Sequence, residues 1–333
     1  MAPVLVLVEH TNGVAPDPSL QALTLARSFA NGDSLQALLI STPIVGMERE
    51  LYRDTVTALA HDLGARHGVD ATHIAEHEAL DSFAPDAWAA ILGQLSDRLS
   101  ANAIFAAGTD RGNDVMARVA ARMNLPLATN CIAVAPGSPV TVTRQRWGGS
   151  LLEEARLHGA RTLITVAPHT VAIEPAVAQA RVERFTPQLK EQELVVRLSD
   201  HVSTKGGGVS LAEAKVVVSG GRGVGSKEGF AIIEELAGLL GGAVGCSRVV
   251  TSAGWRPHTD QVGQTGTKIA PELYIACGIS GATQHMAGCK GAKRILAINS
   301  DAEAPIMLNA DYAVVGDLTE IVPAISAEIR KQR

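Results

Sequence analysis

Strand-sized apolar runs alternate with helix-length amphipathic segments through the first half of this chain, the pattern of a parallel sheet covered by crossover helices. Residues 4–8 open the series, residues 20–30 read as a helix, residues 35–40 as the next strand, and residues 49–63 as a helix with apolar side chains three and four apart. The cycle repeats with a helix over 88–99, a buried strand over 103–107, a helix over 114–123 that stops near Pro126, and a strand over 162–166.

Past residue 184 the register changes. Pro187, the charged run Lys190, Glu191, Gln192, Glu193, and then Lys205 with Gly206, Gly207 and Gly208 interrupt any hydrophobic period. An N-terminal parallel-sheet α/β domain over 1–195, a linker over 196–212 and a second α/β domain over 213–333 follow from this break. Two cores suit the length of 333 residues. The second domain opens with a β-branched strand over 215–219, a Gly-rich turn and a helix over 230–240. Strand-like runs over 249–251, 274–277, 294–298 and 312–315 come next, and a closing helix over 322–331 ends the chain.

Composition narrows the function classes. A net charge of −5 gives no basic field for steering nucleic acid. The longest apolar runs are strand-sized and far short of the roughly 20 residues that span a bilayer, so no membrane-embedded segment is expected. No basic, apolar and small-residue series marks a secretory leader, and the reading is cytoplasmic. The four cysteines, Cys131, Cys246, Cys277 and Cys289, are widely spaced with no C-x-x-C pair and read as reduced structural thiols.

Chemistry concentrates in the second domain. Gly220, Gly221, Arg222, Gly223, Val224 and Gly225 follow a strand and precede a helix, where bare backbone N–H groups receive phosphate. The spelling is neither G-x-G-x-x-G nor a P-loop, and a structural turn needing positive φ reads equally well. Cys246, Ser247 and Arg248 precede the strand-like 249–251, and Arg248 alone reads as a surface cation. The loop Gln261, Val262, Gly263, Gln264, Thr265, Gly266 offers amides and a hydroxyl that suit the edge of a heteroaromatic ring, or a solvated turn. Ser280, Gly281, Ala282, Thr283, Gln284 and His285 form a strand-to-helix junction, an anion site by geometry. Asn299 ends one strand and Asp317 follows another, so all of these segments converge if the sheet is open and parallel.

Gln261 to Gly266 as spelled above, Ala270-Pro-Glu-Leu-Tyr274, Gly278-Ile-Ser-Gly-Ala282, Gln284 with His285, and Glu303-Ala-Pro-Ile306, taken in order, resemble the α subunit of electron transfer flavoprotein. The resemblance is strong over 215–322 and weaker before, where residues 5–10 and 118–122 match best. It implies a Rossmann-like FAD-binding C-terminal domain and an electron carrier that transforms no substrate of its own. It also implies an N-terminal domain in contact with a partner β subunit, which itself holds AMP. Donors would be acyl-CoA or other flavin dehydrogenases, as in fatty acid oxidation, and the acceptor a quinone oxidoreductase. The FAD site implied by the resemblance comprises Arg222, Ser247, Arg248, Val262, Gly263, Gln264, Thr265, Ser280, Gly281, Ala282, Thr283, Gln284, His285, Asn299, Asp317 and Leu318. Within it, Arg248, Thr265 and His285 would set the redox behaviour. The chain departs from the family at Ser300, where lysine is common, at Cys289, where methionine is common, and at Thr319, where an aromatic is common.

Rival motifs are weaker. His73, Glu76 and His77 spell H-x-x-E-H, which needs a helix; the context reads as a strand or loop at a domain edge with a solvated surface, not a metal site. No G-x-S-x-G elbow supports a hydrolase. An NAD(P)H-linked flavin oxidoreductase, or a subunit of an electron-bifurcating flavoprotein, is the alternative, and the missing G-x-G-x-x-G counts against a nicotinamide site. A flavin-free scaffold subunit would keep the fold without the cofactor.

Overall fold

The computed structural model describes residues 2–42, 48–149, 151–198, 210–212 and 214–332. The chain divides into two compact units, residues 1–202 and 203–333. Of the expected linker over 196–212, residues 199–209 lie outside the described residues.

The first unit holds a nine-stranded sheet in the order β7-β6-β5-β8-β4-β1-β2-β3-β9. Its strands are β1 (Val4–Leu7), β2 (Leu35–Ile40), β3 (Ala71–Ala75), β4 (Ala103–Ala107), β5 (Leu127–Ala135), β6 (Val140–Arg146), β7 (Leu151–Leu157), β8 (Thr162–Val166) and β9 (Arg181–Phe185). Only β6 and β7 break the parallel pattern, pairing antiparallel beside β5. The two-residue period of β1 sends Val4 and Val6 to one face, where α1 (Asp17–Ala30) and α2 (Arg49–His67) cover them, and Leu5 and Leu7 to the other, under α3 (Pro85–Leu99) and α4 (Asp110–Met123). Both faces are dry, which explains why these strands read as unbroken apolar runs. At the switch point between β1 and β4, the Thr109 hydroxyl donates to the Glu9 carboxylate and accepts from the Gly112 N–H at 2.9 Å, capping α4. Burial pushes the Glu9 carboxyl up.

The H-x-x-E-H motif begins on a strand, as one of the two expected settings had it, but the solvated surface expected there is corrected at His73. His73 sits inside the sheet on β3, flanked by β2 and β9, and is 1% exposed, with Nε2 2.7 Å from Gln36 Oε1. β9 carries the sequence Arg, Val, Glu, Arg, Phe, whose charges hide it from a hydrophobic reading, yet it covers the edge that β3 would otherwise expose. All four cysteines are buried and unpaired, and burial pushes each thiol up to about 12.

The second unit is a five-stranded parallel sheet in the order β11-β10-β12-β13-β14. Its strands are β10 (Val216–Gly220), β11 (Ala243–Cys246), β12 (Leu273–Cys277), β13 (Ile295–Asn299) and β14 (Tyr312–Val315). The helices between and after them are α5 (Phe230–Leu240), α6 (Arg248–Ser252), α7 (Thr283–Cys289), α8 (Pro305–Leu308) and α9 (Leu318–Gln332). Val218 and Ile275 pack with Phe230, Ile233 and Val322 on one face; Val217, Tyr274 and Ala276 pack with Met286 and Ile306 on the other. Both units are therefore α/β layers, the second Rossmann-like. One local expectation fails: Val249, Val250 and Thr251 lie in α6, not in a strand. Tertiary contacts override their β-branched preference, because Ser247 N–H is taken by the Gly220 carbonyl at 3.1 Å and Thr251 Oγ1 bonds back to the Arg248 carbonyl at 2.9 Å.

Candidate functional site

Because every strand of the second sheet runs the same way, all five carboxyl ends open on one edge. β11 lies on one side of β10 and β12 on the other, so the crossovers part there and the switch point falls between β10 and β12. Arg222 follows β10, Ser247 and Arg248 follow β11, Ser280 to His285 follow β12, Asn299 ends β13, and Asp317 and Leu318 follow β14. The 262–265 loop joins the same edge, since the Val262 N–H donates to the Cys246 carbonyl at the end of β11, at 2.9 Å. Topology thus brings the residues of the FAD site implied by the resemblance to one sheet edge.

Exposure sorts them. Arg222, Arg248, Gln264, Thr265, Ser280, Ala282, Thr283, Gln284 and Asp317 are exposed and Ser247 is half-buried, whereas Val262, Gly263, Gly281, His285, Asn299 and Leu318 are buried. The exposed set is two guanidinium groups, amides, hydroxyls and the Asp317 carboxylate, with the methyl of Ala282 among them.

The glycine turn does not offer the bare amides that the sequence suggested. Gly221 N–H donates to the Cys277 carbonyl at 2.8 Å and Gly223 N–H to the Gly278 carbonyl at 3.1 Å, while Val224 and Gly225 N–H close the turn on Gly221 and Arg222. Close approach explains the glycines: a Cβ on Gly223 would stand 2.8 Å from the Cα of Gly278, which itself has φ +63°. The turn seals the switch point, and Arg222 is the side chain it presents to solvent, with the backbone of Gly223 and Gly225 beside it.

Thr265 is held by a residue that the sequence placed in the same loop without a role. The Gln261 side-chain amide lies 2.8 Å from Thr251 Oγ1 and 3.0 Å from Thr265 Oγ1. The buried amide thereby anchors the exposed Thr265 hydroxyl at the site edge.

His285 is held by another. Its Nε2 lies 2.7 Å from the hydroxyl of the fully buried Tyr274, and its Nδ1 is shut off from solvent without completing a hydrogen bond. Burial pushes the imidazole down to about 4, opposed by the adjacent Val262 backbone carbonyl. Tyr274 reads from sequence as a β-strand aromatic, and nothing in its spacing announces a polar contact.

Asn299 and Asp317 serve the fold first. Asn299 Nδ2 donates to the Ile279 carbonyl at 2.9 Å and its Oδ1 accepts from the Asp301 N–H at 3.0 Å, so the end of β13 is tied to the loop after β12. Asp317 Oδ1 accepts from both the hydroxyl and the N–H of Thr319, the residue that stands where an aromatic is common. Those bonds hold the Asp317 carboxyl below the usual carboxylate range.

An open parallel sheet with cationic and amide side chains along its carboxyl edge defines a nucleotide-binding α/β protein. The comparisons specify which kind. The model described as the electron transfer flavoprotein domain matches residues 4–189, and that described as the electron transfer flavoprotein FAD-binding domain matches residues 210–290. Electron transfer flavoprotein subunit alpha of Mycobacterium leprae is 36% identical with all of both chains covered. Protein FixB of Clostridium saccharobutylicum is 34% identical over 98% of this chain and 96% of its own. Electron transfer flavoprotein subunit alpha of Bacillus subtilis is 33% identical over 98% and 97% respectively. The chain belongs to the electron transfer flavoprotein α-subunit family, and FAD is the cofactor of its C-terminal domain. Its residues fit the group: Arg222 and Arg248 are exposed cations that suit a pyrophosphate or an electron-rich ring, and the anchored Thr265 hydroxyl is exposed. The buried Nδ1 of His285 is a polar atom with no hydrogen bond in the bare protein.

Proposed function

We propose that this chain is the FAD-carrying subunit of a heterodimeric electron transfer flavoprotein, taking electrons from acyl-CoA or other flavin dehydrogenases and passing them to a quinone oxidoreductase or another acceptor. The observation that carries this reading is the convergence of Arg222, Arg248, Thr265, the 280–285 junction and Asp317 on one sheet edge of a chain from this family. FAD supplies the redox chemistry when bound, and the protein supplies position and potential.

In this reading Arg222 and the residues opening α7 hold the pyrophosphate, Asn299 and Asp317 border the adenosine end, and Gln284 lies along the ribityl chain. Thr265 faces the N5 edge of the ring, Arg248 places a cation beside it, and His285 faces its O2 edge. The first unit contacts the β subunit, which holds AMP, and residues 196–212 link the two domains. No helix among the described residues is long and apolar enough to cross a membrane. The carrier, in this reading, meets its partners in the cytoplasm.

The test is co-expression with a β subunit, followed by an absorption spectrum of the purified complex. Flavin bands that bleach with a dehydrogenase and its substrate, and recover with a quinone acceptor, support the carrier role. A colourless complex overturns it. Bleaching by NADH alone favours the NAD(P)H-linked or bifurcating alternative.

A further inference from the structure

Tyr274 projects from β12 beneath α7, and the hydrogen bond from its hydroxyl to His285 joins the sheet to that helix. The Tyr274 hydroxyl stands 2.7 Å from Nε2 and has Ser219 as a second polar neighbour, while the Val262 backbone borders the ring without closing a hydrogen bond to Nδ1. A carbonyl can only accept, so this surrounding favours a neutral imidazole protonated on Nδ1, with Nε2 accepting from Tyr274. Burial keeps both groups uncharged, pushing the phenol well above 10 and the imidazole down.

The ring also backs the loop that carries Gln264 and Thr265. Gln264 N–H donates to the Gln284 carbonyl at 2.7 Å, and a Cβ on Gly288 would stand 2.3 Å from the Gly263 nitrogen, so loop and helix meet backbone to backbone. His285 lies on this contact, with Val262 on one side and Tyr274 on the other.

We propose that Tyr274 is a positioning residue: by donating to Nε2 it sets the tautomer and orientation of His285, and through that ring it holds the 262–267 loop where Thr265 is presented to the flavin. The assignment of a flavin to this loop rests on the function proposed above; the relay itself does not.

The experiment uses the α–β complex with Tyr274→Phe, His285→Gln and the double variant. Removing the hydroxyl deletes a buried hydrogen bond, so amide exchange at Gly263, Gln264, Gly266 and Thr267 should quicken about tenfold in either single variant. It should quicken no further in the double variant. The 15N spectrum of labelled histidine should show a single Nδ1–H tautomer for His285 in the unsubstituted chain and a mixture in Tyr274→Phe. FAD should dissociate several-fold faster from both single variants. Additive exchange effects, or an unchanged tautomer in Tyr274→Phe, would overturn the relay and reduce Tyr274 to a core side chain. If the unsubstituted complex binds no flavin, the functional reading fails, while exchange and tautomer still decide the relay.

Discussion

Gly221 and Gly278 are packed so closely that a Cβ on Gly221 would stand 2.2 Å from the Gly278 carbonyl oxygen. The turns after β10 and β12 are thereby locked together at the switch point, with no flexible side chain between them to yield. Gly221→Ala must push backbone from backbone. Overpacking of this kind costs about 3 kcal/mol, and the displaced turn also carries Arg222. We expect a lower urea midpoint together with loss of bound FAD; a variant with the parent midpoint and full flavin content would show that the contact gives way freely.

Arg248 opens α6, exposed at the end of β11. A cation at this edge favours an electron-rich ring, and at about 4 Å in a water-like dielectric one charge is worth roughly 1 kcal/mol, or about 40 mV. Arg248→Ala should lower the flavin midpoint potential by this order, and more if the β subunit shields the site from water. Added salt should narrow the difference for a solvent-screened charge. Spectroelectrochemical titration of the FAD-loaded complexes checks this, and equal potentials would remove Arg248 from the list of tuning residues.

The sheets were legible in the sequence where burial on both faces makes a strand uniformly apolar, as at Val4–Leu7, Leu35–Ile40 and Ala103–Ala107. Exposed strands escaped where charges break the apolar run, unlike the exposed but uncharged Tyr312–Val315. β7 exposes Leu151 and Leu152 and carries Glu153, Glu154 and Arg156, and β9 is charged at three of its five positions, so neither has a hydrophobic signature. Local preference also misled at Val249–Thr251, where the end of β11 and the Gly220 carbonyl impose a helical turn. The positions of the candidate site could be read because they follow strand ends. The hydrogen bonds could not: the amides of Gly221 and Gly223 looked open until the neighbouring turn supplied acceptors, and the supports given to Thr265 by Gln261 and to His285 by Tyr274 depend on side-chain directions that spacing does not encode.

Glu9 offers a test in the first unit. Burial pushes its carboxyl up, with the Thr109 hydroxyl and the Arg111 charge opposing. A carboxyl whose folded pKa is raised favours the folded state fully below its unfolded pKa and loses that contribution as pH rises through the folded value. Glu9→Gln keeps a hydrogen-bonding side chain without the charge. Its stability relative to the parent should therefore improve from pH 4 to pH 7. Urea midpoints measured at both pH values check this, and a gain that is larger at pH 4 would contradict the buried-carboxyl account.

His285 gives the opposite titration. Its pKa falls from 6.5 in the unfolded chain to about 4 in the fold. Between those values the unfolded state binds a proton that the folded state refuses, so stability is complete above about pH 6.5 and declines as the pH falls toward 4. Across the whole window the loss amounts to roughly 3 kcal/mol. His10, His67 and His73 are pushed in the same direction by burial, so acid sensitivity of the parent protein alone does not isolate His285. The comparison with His285→Gln does. At pH 7.5 the variant should be the less stable, having lost the Tyr274 acceptor geometry; as the pH drops to 5, the parent should lose stability faster and the gap should close. Urea unfolding of both complexes at one fixed protein concentration measures this. Parallel pH profiles would mean that His285 has the same pKa folded and unfolded, and a parent that gained on the variant as the pH fell would mean that the fold holds the ring protonated; either result contradicts the buried neutral imidazole.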